Sequence, residues 1–130
     1  MKKKMIFLGG SVFLLVLYFI FPYLRPFKME VQILKIAEKL SPDGKNIAVL
    51  YSVDGGATSS HNVYVRLMKN GEKLDLKGNS GDVFGVKMFD PKIEMTWVGN
   101  GDLKVKCSNC SPGDVFVKKG EWLNVLIKYE

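Results

Sequence analysis

The sequence predicts an all-β domain, a small antiparallel β-sandwich or barrel-like meander of short strands, preceded by one N-terminal transmembrane helix. Three observations carry this. Met5 to Tyr23 is nineteen residues without a charge. Beyond Pro26 the apolar residues recur with a period near two, the mark of half-buried strands. Turn-forming pairs of Pro, Asn and Gly fall between the alternating runs.

The apolar run comes first. As a helix, Met5 to Tyr23 would be about 28 Å long, close to the hydrocarbon thickness of a bilayer. It follows Lys2, Lys3 and Lys4 directly. A basic start with an apolar core also describes a cleavable signal peptide, but that core is usually about 7–15 residues long. The residues after the run, Pro22-Tyr23-Leu24-Arg25-Pro26-Phe27, offer no pair of small residues for a signal peptidase. No Cys follows the run to accept a lipid. Tyr18 and Tyr23 lie toward its outer end, where amphipathic rings favour the interface. The expected organisation is therefore a cytoplasmic basic flank at 1–4, a transmembrane anchor at 5–24, a spacer at 25–29 and an extracytoplasmic β domain at 30–130. The tight lysine cluster favours an inside N-terminus, although Arg25, Lys28, Lys35 and Lys39 nearly balance it. The expected location is the cell membrane, single-pass, with the domain outside the cytoplasm.

The strands follow in order. Met29 to Leu40 fits both a helical stripe and a strand. A strand is favoured because Ser41-Pro42-Asp43-Gly44 would fold it back as a hairpin onto the next run. That run alternates Ile47, Val49, Tyr51 and Val53. Val63, Val65 and Leu67 alternate against Tyr64, Arg66 and Met68. Asn70-Gly71 then gives a strong hairpin signal. Ile93, Met95 and Trp97 share a face, which places Trp97 in the core. Gly99-Asn100-Gly101-Asp102 links them to Leu103, Val105 and Cys107, and Val125, Ile127 and Tyr129 close the chain.

Composition narrows function. The net charge is +6, but Lys2 to Lys4 hold half of it, so the domain carries only +3. Trp97, Trp122 and the Phe residues sit mainly on alternating core-type positions, not as stacking platforms among the lysines. Nucleic acid is not the expected partner. No paired carboxylates and no glycine-rich phosphate loop are evident, and no cofactor is expected.

Two constellations could carry chemistry. Asp54, Thr58, Ser59, Ser60, His61 and Asn62 crowd one polar connection beside Gly55-Gly56. They could form a binding loop, or a nucleophile–base site on Ser59 or Ser60 with His61. Adjacent residues of an extended chain point apart, which disfavours the latter. Cys107 and Cys110 could form a structural bridge, a redox pair or half a metal site. His61 is the only other soft ligand, so no metal site is expected. Ser108 and Asn109 suit a β-turn, whose ends lie within about 7 Å, and disulfide Cα separations run from about 4.4 to 6.8 Å. A disulfide is the favoured reading.

Ser41-Pro42-Asp43-Gly44-Lys45 before Ile47-Ala48-Val49 looks like the hairpin of certain β-propeller blades, but this chain is too short for a propeller. The wider pattern adds Gly56-Ala57-Thr58, Gly81-Asp82-Val83-Phe84, Trp97 and the final strand to Tyr129. It resembles a family of small uncharacterised bacterial membrane-anchored envelope proteins. Members often carry a Cys where this chain has Gly55. The resemblance implies the architecture and the location and brings no activity with it. The residues thus favour a membrane-tethered interaction module without catalysis, facing an envelope protein partner through 54–62. The alternative is an envelope thiol–disulfide oxidoreductase or hydrolase using Cys107 and Cys110 or that loop.

Overall fold

The computed structural model describes residues 4–24, 26, 31–56, 61–78 and 80–130. Helix α1 spans Lys4–Ile20 and tightens into a single 3-10 turn at Phe21–Leu24. Pro22 cannot donate to an α-helical ladder and crowds the turn before it, so the α-helix stops two residues earlier. At 17 residues α1 is shorter than the expected 5–24 span. Among the described residues, no helix is long and apolar enough to cross a membrane.

From residue 31 onward the described residues are mostly β-structure. Among them are nine strands, β1 (Gln32–Leu40), β2 (Asn46–Asp54), β3 (Asn62–Lys69), β4 (Asp82–Lys87), β5 (Ile93–Val98), β6 (Asp102–Cys107), β7 (Val115–Lys118), β8 (Glu121–Trp122) and β9 (Val125–Tyr129). They form a five-stranded sheet in the order β1-β2-β3-β4-β7 and a four-stranded sheet in the order β5-β6-β9-β8.

The alternating residues of β3, β5, β6 and β9 face the main core, but in β2 the phase is reversed: Ile47, Val49, Tyr51 and Val53 lie on the outward face and Ala48 and Leu50 on the inward one, because both faces of this strand are covered. Ala48 and Leu50 of β2 and Val63, Val65 and Leu67 of β3 meet Met95, Leu103, Val105, Val125 and Ile127 of the second sheet in the main core. The outward face of the first sheet carries a smaller cluster of Val49, Tyr51 and Met68, with Leu74 of the following loop packed on it. The ambiguous segment before Ser41 is strand β1. It pairs antiparallel with β2, from Gln32 opposite Asp54 to Leu40 opposite Ile47, with a bulge between Lys35 and Ala37. The Ser41 hydroxyl and Asp43 carboxylate lock the hairpin, the hydroxyl donating to Asp43 at 2.7 Å while the carboxylate accepts the Lys45 N–H at 3.1 Å.

The sheets close on each other by two devices. On one side the chain passes from the first sheet to the second at Lys119–Gly120. There Lys119 N–H donates to the Val83 carbonyl and Ile127 N–H to that of Gly120. On the other side the Trp97 indole N–H donates to the Lys39 carbonyl of edge strand β1, at 2.9 Å.

Several expectations are corrected. Trp97 is half-buried at the rim of the core, not inside it, because β5 is the outer strand of its sheet and covers the indole from one side only. Asn70-Gly71 does turn the chain, with Glu72 N–H donating to the Lys69 carbonyl, but no two-residue hairpin follows. A loop intervenes before β4, pinned by Arg66 as described below. The sandwich is not wholly antiparallel, since β6 and β9 pair in parallel. Strands β4, β7 and β8 were not read from the alternation, being short or interrupted by glycine and bulges.

The registers place two opposite ends. One end gathers the start of β1, Asp54, Asn62, Lys87 and Val115, through pairs Gln32 with Asp54, Val53 with Asn62, Asn62 with Lys87 and Val86 with Val115. The Ile93–Cys107 pair lies at this same end, because the Asn109 side chain accepts the Lys92 N–H and donates to the Asp90 carbonyl. The other end carries the Ser41–Lys45 and Gly99–Gly101 turns, joined by Asp43 N–H donating to the Asn100 side chain at 2.8 Å.

Candidate functional site

The polar connection read as a binding loop is described only at its margins. Thr58, Ser59 and Ser60 lie outside the described residues. Asp54 ends β2 and its carboxylate accepts the Gly56 N–H at 2.9 Å, a local turn at a residue with φ of +97°, which glycine adopts without strain. The His61 ring lies 4.9 Å from that of Phe89. Asn62 opens β3 and its side chain hydrogen-bonds the Tyr64 hydroxyl. The structure does not bring Asp54, His61 and Asn62 together around one point; each engages its own neighbour.

A buried polar network went unread in the sequence. Tyr51, Arg66 and Asp82 meet on the outward face of the first sheet. Arg66 and Asp82 are 7 % and 5 % exposed. Arg66 Nε donates to Asp82 at 2.7 Å and Nη2 to its other carboxylate oxygen at 3.1 Å. The guanidinium also donates to the carbonyls of Asp75 and Gly78. Four of its five N–H groups are therefore engaged. The Tyr51 hydroxyl donates to Asp82 at 2.8 Å, and the guanidinium lies over the Tyr51 ring. Burial, followed by the bond to Asp82, pushes the Tyr51 phenol far above the ordinary tyrosine range. The bond to Asp82 raises the Arg66 guanidinium further. The network holds Asp75 and Gly78 of the loop before β4 against the sheet, and its donors are committed to that task. The available signal was a charge on an otherwise apolar face, Arg66 between Tyr64 and Met68, which demands a buried partner.

The aromatic row continues from there. Tyr51 stacks on Tyr64, and Phe116 meets Tyr64 edge-on. Gly85 makes the space: a Cβ there would lie 3.1 Å from the Phe116 ring and from Val117.

The arrangement most suited to a ligand is a cleft of about 310 Å³ between the sheets. Strand β8 pairs with β9 only at Leu126 and Val125, so the far half of β9 is not flanked by it. The cleft opens there. Phe84, Val105 and Val115 give it apolar walls, Cys107 and Cys110 line it, and Lys118 and Glu130 stand among its polar groups. Ligand pockets commonly combine such walls with a few polar groups, at about 300–1,000 Å³.

Cys107 and Cys110 are bonded, with Cα atoms 5.5 Å apart across the Ser108-Asn109 turn. Tyr129 closes the cleft floor. Its hydroxyl lies 2.7 Å from the Val83 carbonyl and 2.6 Å from that of Lys119 and donates to this pair. Burial pushes its phenol up to about 12. Lys118 Nζ lies 4.9 Å from the Tyr129 ring centre, and Lys104 holds the Glu130 carboxyl below the usual range. A rigid, disulfide-walled cleft with one cation and one carboxylate can seat a small or extended ligand. Among the described residues, no group of three or more His, Cys, Asp or Glu is arranged to hold a metal ion.

Comparison with protein families, with curated proteins and with solved structures finds no match for this chain.

Proposed function

We propose that this protein is a membrane-tethered binding module whose β-sandwich faces the extracytoplasmic side of a bacterial envelope. The observation that carries the reading is the exposed surface of α1. Every side chain from Val12 to Ile20 is apolar or Tyr, and each is exposed by 43 % or more. A water-facing helix would keep a polar face; one that is apolar all round belongs in lipid or in a large core. Both hydrophobic clusters of the sandwich are built from residues beyond 31, so the domain does not need the helix as core. The apolar run continues past Ile20 through Phe21 to Leu24 without a charge, extending the stretch available to the bilayer. The lysines ahead of it favour a cytoplasmic N-terminus.

Binding rather than turnover fits the way the polar groups are used. Arg66 and Asp82 hold a loop, His61 packs on Phe89, and the cleft offers walls and a charged rim without a paired acid and base. An envelope protein segment reaching the cleft or the 54–62 connection is the occupant the chemistry favours. Cross-linking on intact cells through a photoreactive residue at Lys118 should capture one partner, and Ser111→Trp, at an exposed position of the cleft lining, should abolish capture. Equal capture by both chains would refute the cleft as the binding face. Release of the protein from membranes by alkaline carbonate would refute the anchor.

A second reading has one specific observation behind it. The disulfide lines an open cleft that also holds a lysine, Lys118, as thiol–disulfide exchange requires access and a nearby cation. Such pairs usually sit at a helix N-terminus, whereas Cys110 here precedes a single 3-10 turn at Pro112–Asp114. Reduction of a protein disulfide by the reduced chain, abolished by Cys107→Ser, would favour this reading.

A further inference from the structure

We infer that the end of the sandwich bearing Phe89 docks on the lipid headgroup–acyl boundary of the bilayer in which α1 is anchored. The inference rests on the anchor reading above and adds to it a second, peripheral contact. Three observations converge on this surface.

The first is the tether. Only seven residues separate Leu24, the last of the 3-10 turn, from Gln32, the first of β1. Fully extended, that connection spans at most about 29 Å, and any shorter path draws the domain closer. The register places the start of β1 at one end of the sandwich, together with Asp54, Asn62 and Lys87. Strand β1 itself is nine residues, or about 30 Å, so the opposite turns lie that much further from the point of attachment.

The second observation is Phe89. It is 82 % exposed, the most exposed large apolar side chain of the sandwich, and it stands in the loop joining β4 to β5 at the tethered end. Asp90, next to it, has a φ of +51°, so the loop holds a backbone conformation unusual for a non-glycine residue. The His61 ring packs on Phe89 and gives it a fixed neighbour. Val31, just before β1, and Leu34, near its start, are 46 % and 65 % exposed where the tether enters the strand. An aromatic ring with water on most sides gains by entering the interfacial region.

The third is charge. Lys87 and Lys92 flank Phe89 in the chain, the arrangement that suits lipid phosphates. The acidic groups at this end are partly engaged: Asp90 pairs with Lys92 at 2.7 Å and Asp54 caps Gly56. Asp114 lies at the same end, one residue before β7. Apolar insertion therefore leads and the lysines add to it.

The test uses the full chain in nanodiscs of phosphatidylethanolamine and phosphatidylglycerol. A spin label is placed by Lys87→Cys in one chain and by Asn100→Cys, at the far end, in another. Docking predicts that the label at 87 is several-fold less accessible to a nickel chelate than the label at 100 and more accessible to oxygen. Adding Phe89→Ser should return the label at 87 to the aqueous values of the label at 100. Equal accessibilities at 87 and 100 in a chain that co-elutes with the nanodisc would overturn the docking and leave the anchor standing. Shielding at 87 from both oxygen and nickel would mean protein contact and would also overturn it. A chain that does not co-elute with the nanodisc would overturn both the anchor and the docking.

Discussion

Removing the Asp82 carboxylate is the sharpest single perturbation of this fold. Asp82→Ala leaves the Arg66 guanidinium buried, 7 % exposed, with two of its four engaged N–H groups abandoned. It also strips the Tyr51 hydroxyl of its acceptor. Breaking a buried ion pair from one side costs about 3–5 kcal/mol, and an unsatisfied hydroxyl adds up to about 1–3 kcal/mol if water cannot reach it. The two terms share one carboxylate and do not simply add. A loss of about 3–5 kcal/mol is expected, against a total of about 5–15 kcal/mol for a domain of this size. At roughly 4–8 °C per kcal/mol, the melting temperature of a soluble domain beginning near residue 31 should fall by at least about 12 °C. Urea unfolding followed by tryptophan fluorescence measures this. Because Arg66 also grips the Asp75 and Gly78 carbonyls, trypsin should cut at Lys73 or Lys77 earlier than in the parent. The double variant Arg66→Met, Asp82→Leu removes both charges and should be more stable than Asp82→Ala alone. A cost below about 1 kcal/mol for Asp82→Ala, or a double variant weaker than the single, would refute the role given to this network.

Other outcomes follow from the same coordinates. Gly81→Ala should destabilise by about 1–3 kcal/mol in the same unfolding assay, since a Cβ there would lie 2.5 Å from the Leu67 carbonyl oxygen and the backbone would have to shift. Trp97→Phe should cost about 1 kcal/mol through loss of the indole bond to Lys39, well below the cost of removing a fully enclosed tryptophan. Tyr129 has a folded pKa raised to about 12, above its unfolded value near 10, so its neutral form is favoured by folding. Its contribution is fully present below about pH 10 and is lost as pH rises toward 12; unfolding midpoints should fall over that window, and less steeply in Tyr129→Phe. Alkylation without reductant, followed by intact mass measurement, should find neither Cys107 nor Cys110 free.

The class of fold was legible because side-chain alternation is a local property. Val63 to Leu67 and Leu103 to Cys107 alternate whatever lies across from them, so strand and buried face can be read without a partner. Ile47 to Val53 reveals only the strand: both faces of β2 are covered, and Ala48 and Leu50, not the alternating residues, fill the main core. The Ser41 hairpin was legible for the same reason, its turn being held by Ser41 and Asp43 themselves. The uncharged run from Met5 to Tyr23 is equally a property of the chain alone.

What the tertiary structure decided is what depends on residues far apart in sequence. Asn70-Gly71 announces a hairpin, yet the chain runs on to Asp82, because Arg66 recruits the Asp75 and Gly78 carbonyls and an acid sixteen positions away. The parallel pairing of β6 with β9 arises because the chain changes sheets at Lys119–Gly120, which no periodicity encodes. Trp97 shares the inward phase with Met95 yet stays at the rim, since alternation tells which face is inward and not how far the opposite sheet extends. The cleft by the disulfide has the same origin. Its lining comes from β4 and β7 of one sheet, β6 and β9 of the other and the Cys110–Pro112 connection, residues as far apart as Phe84 and Glu130 that meet only when the two sheets pack.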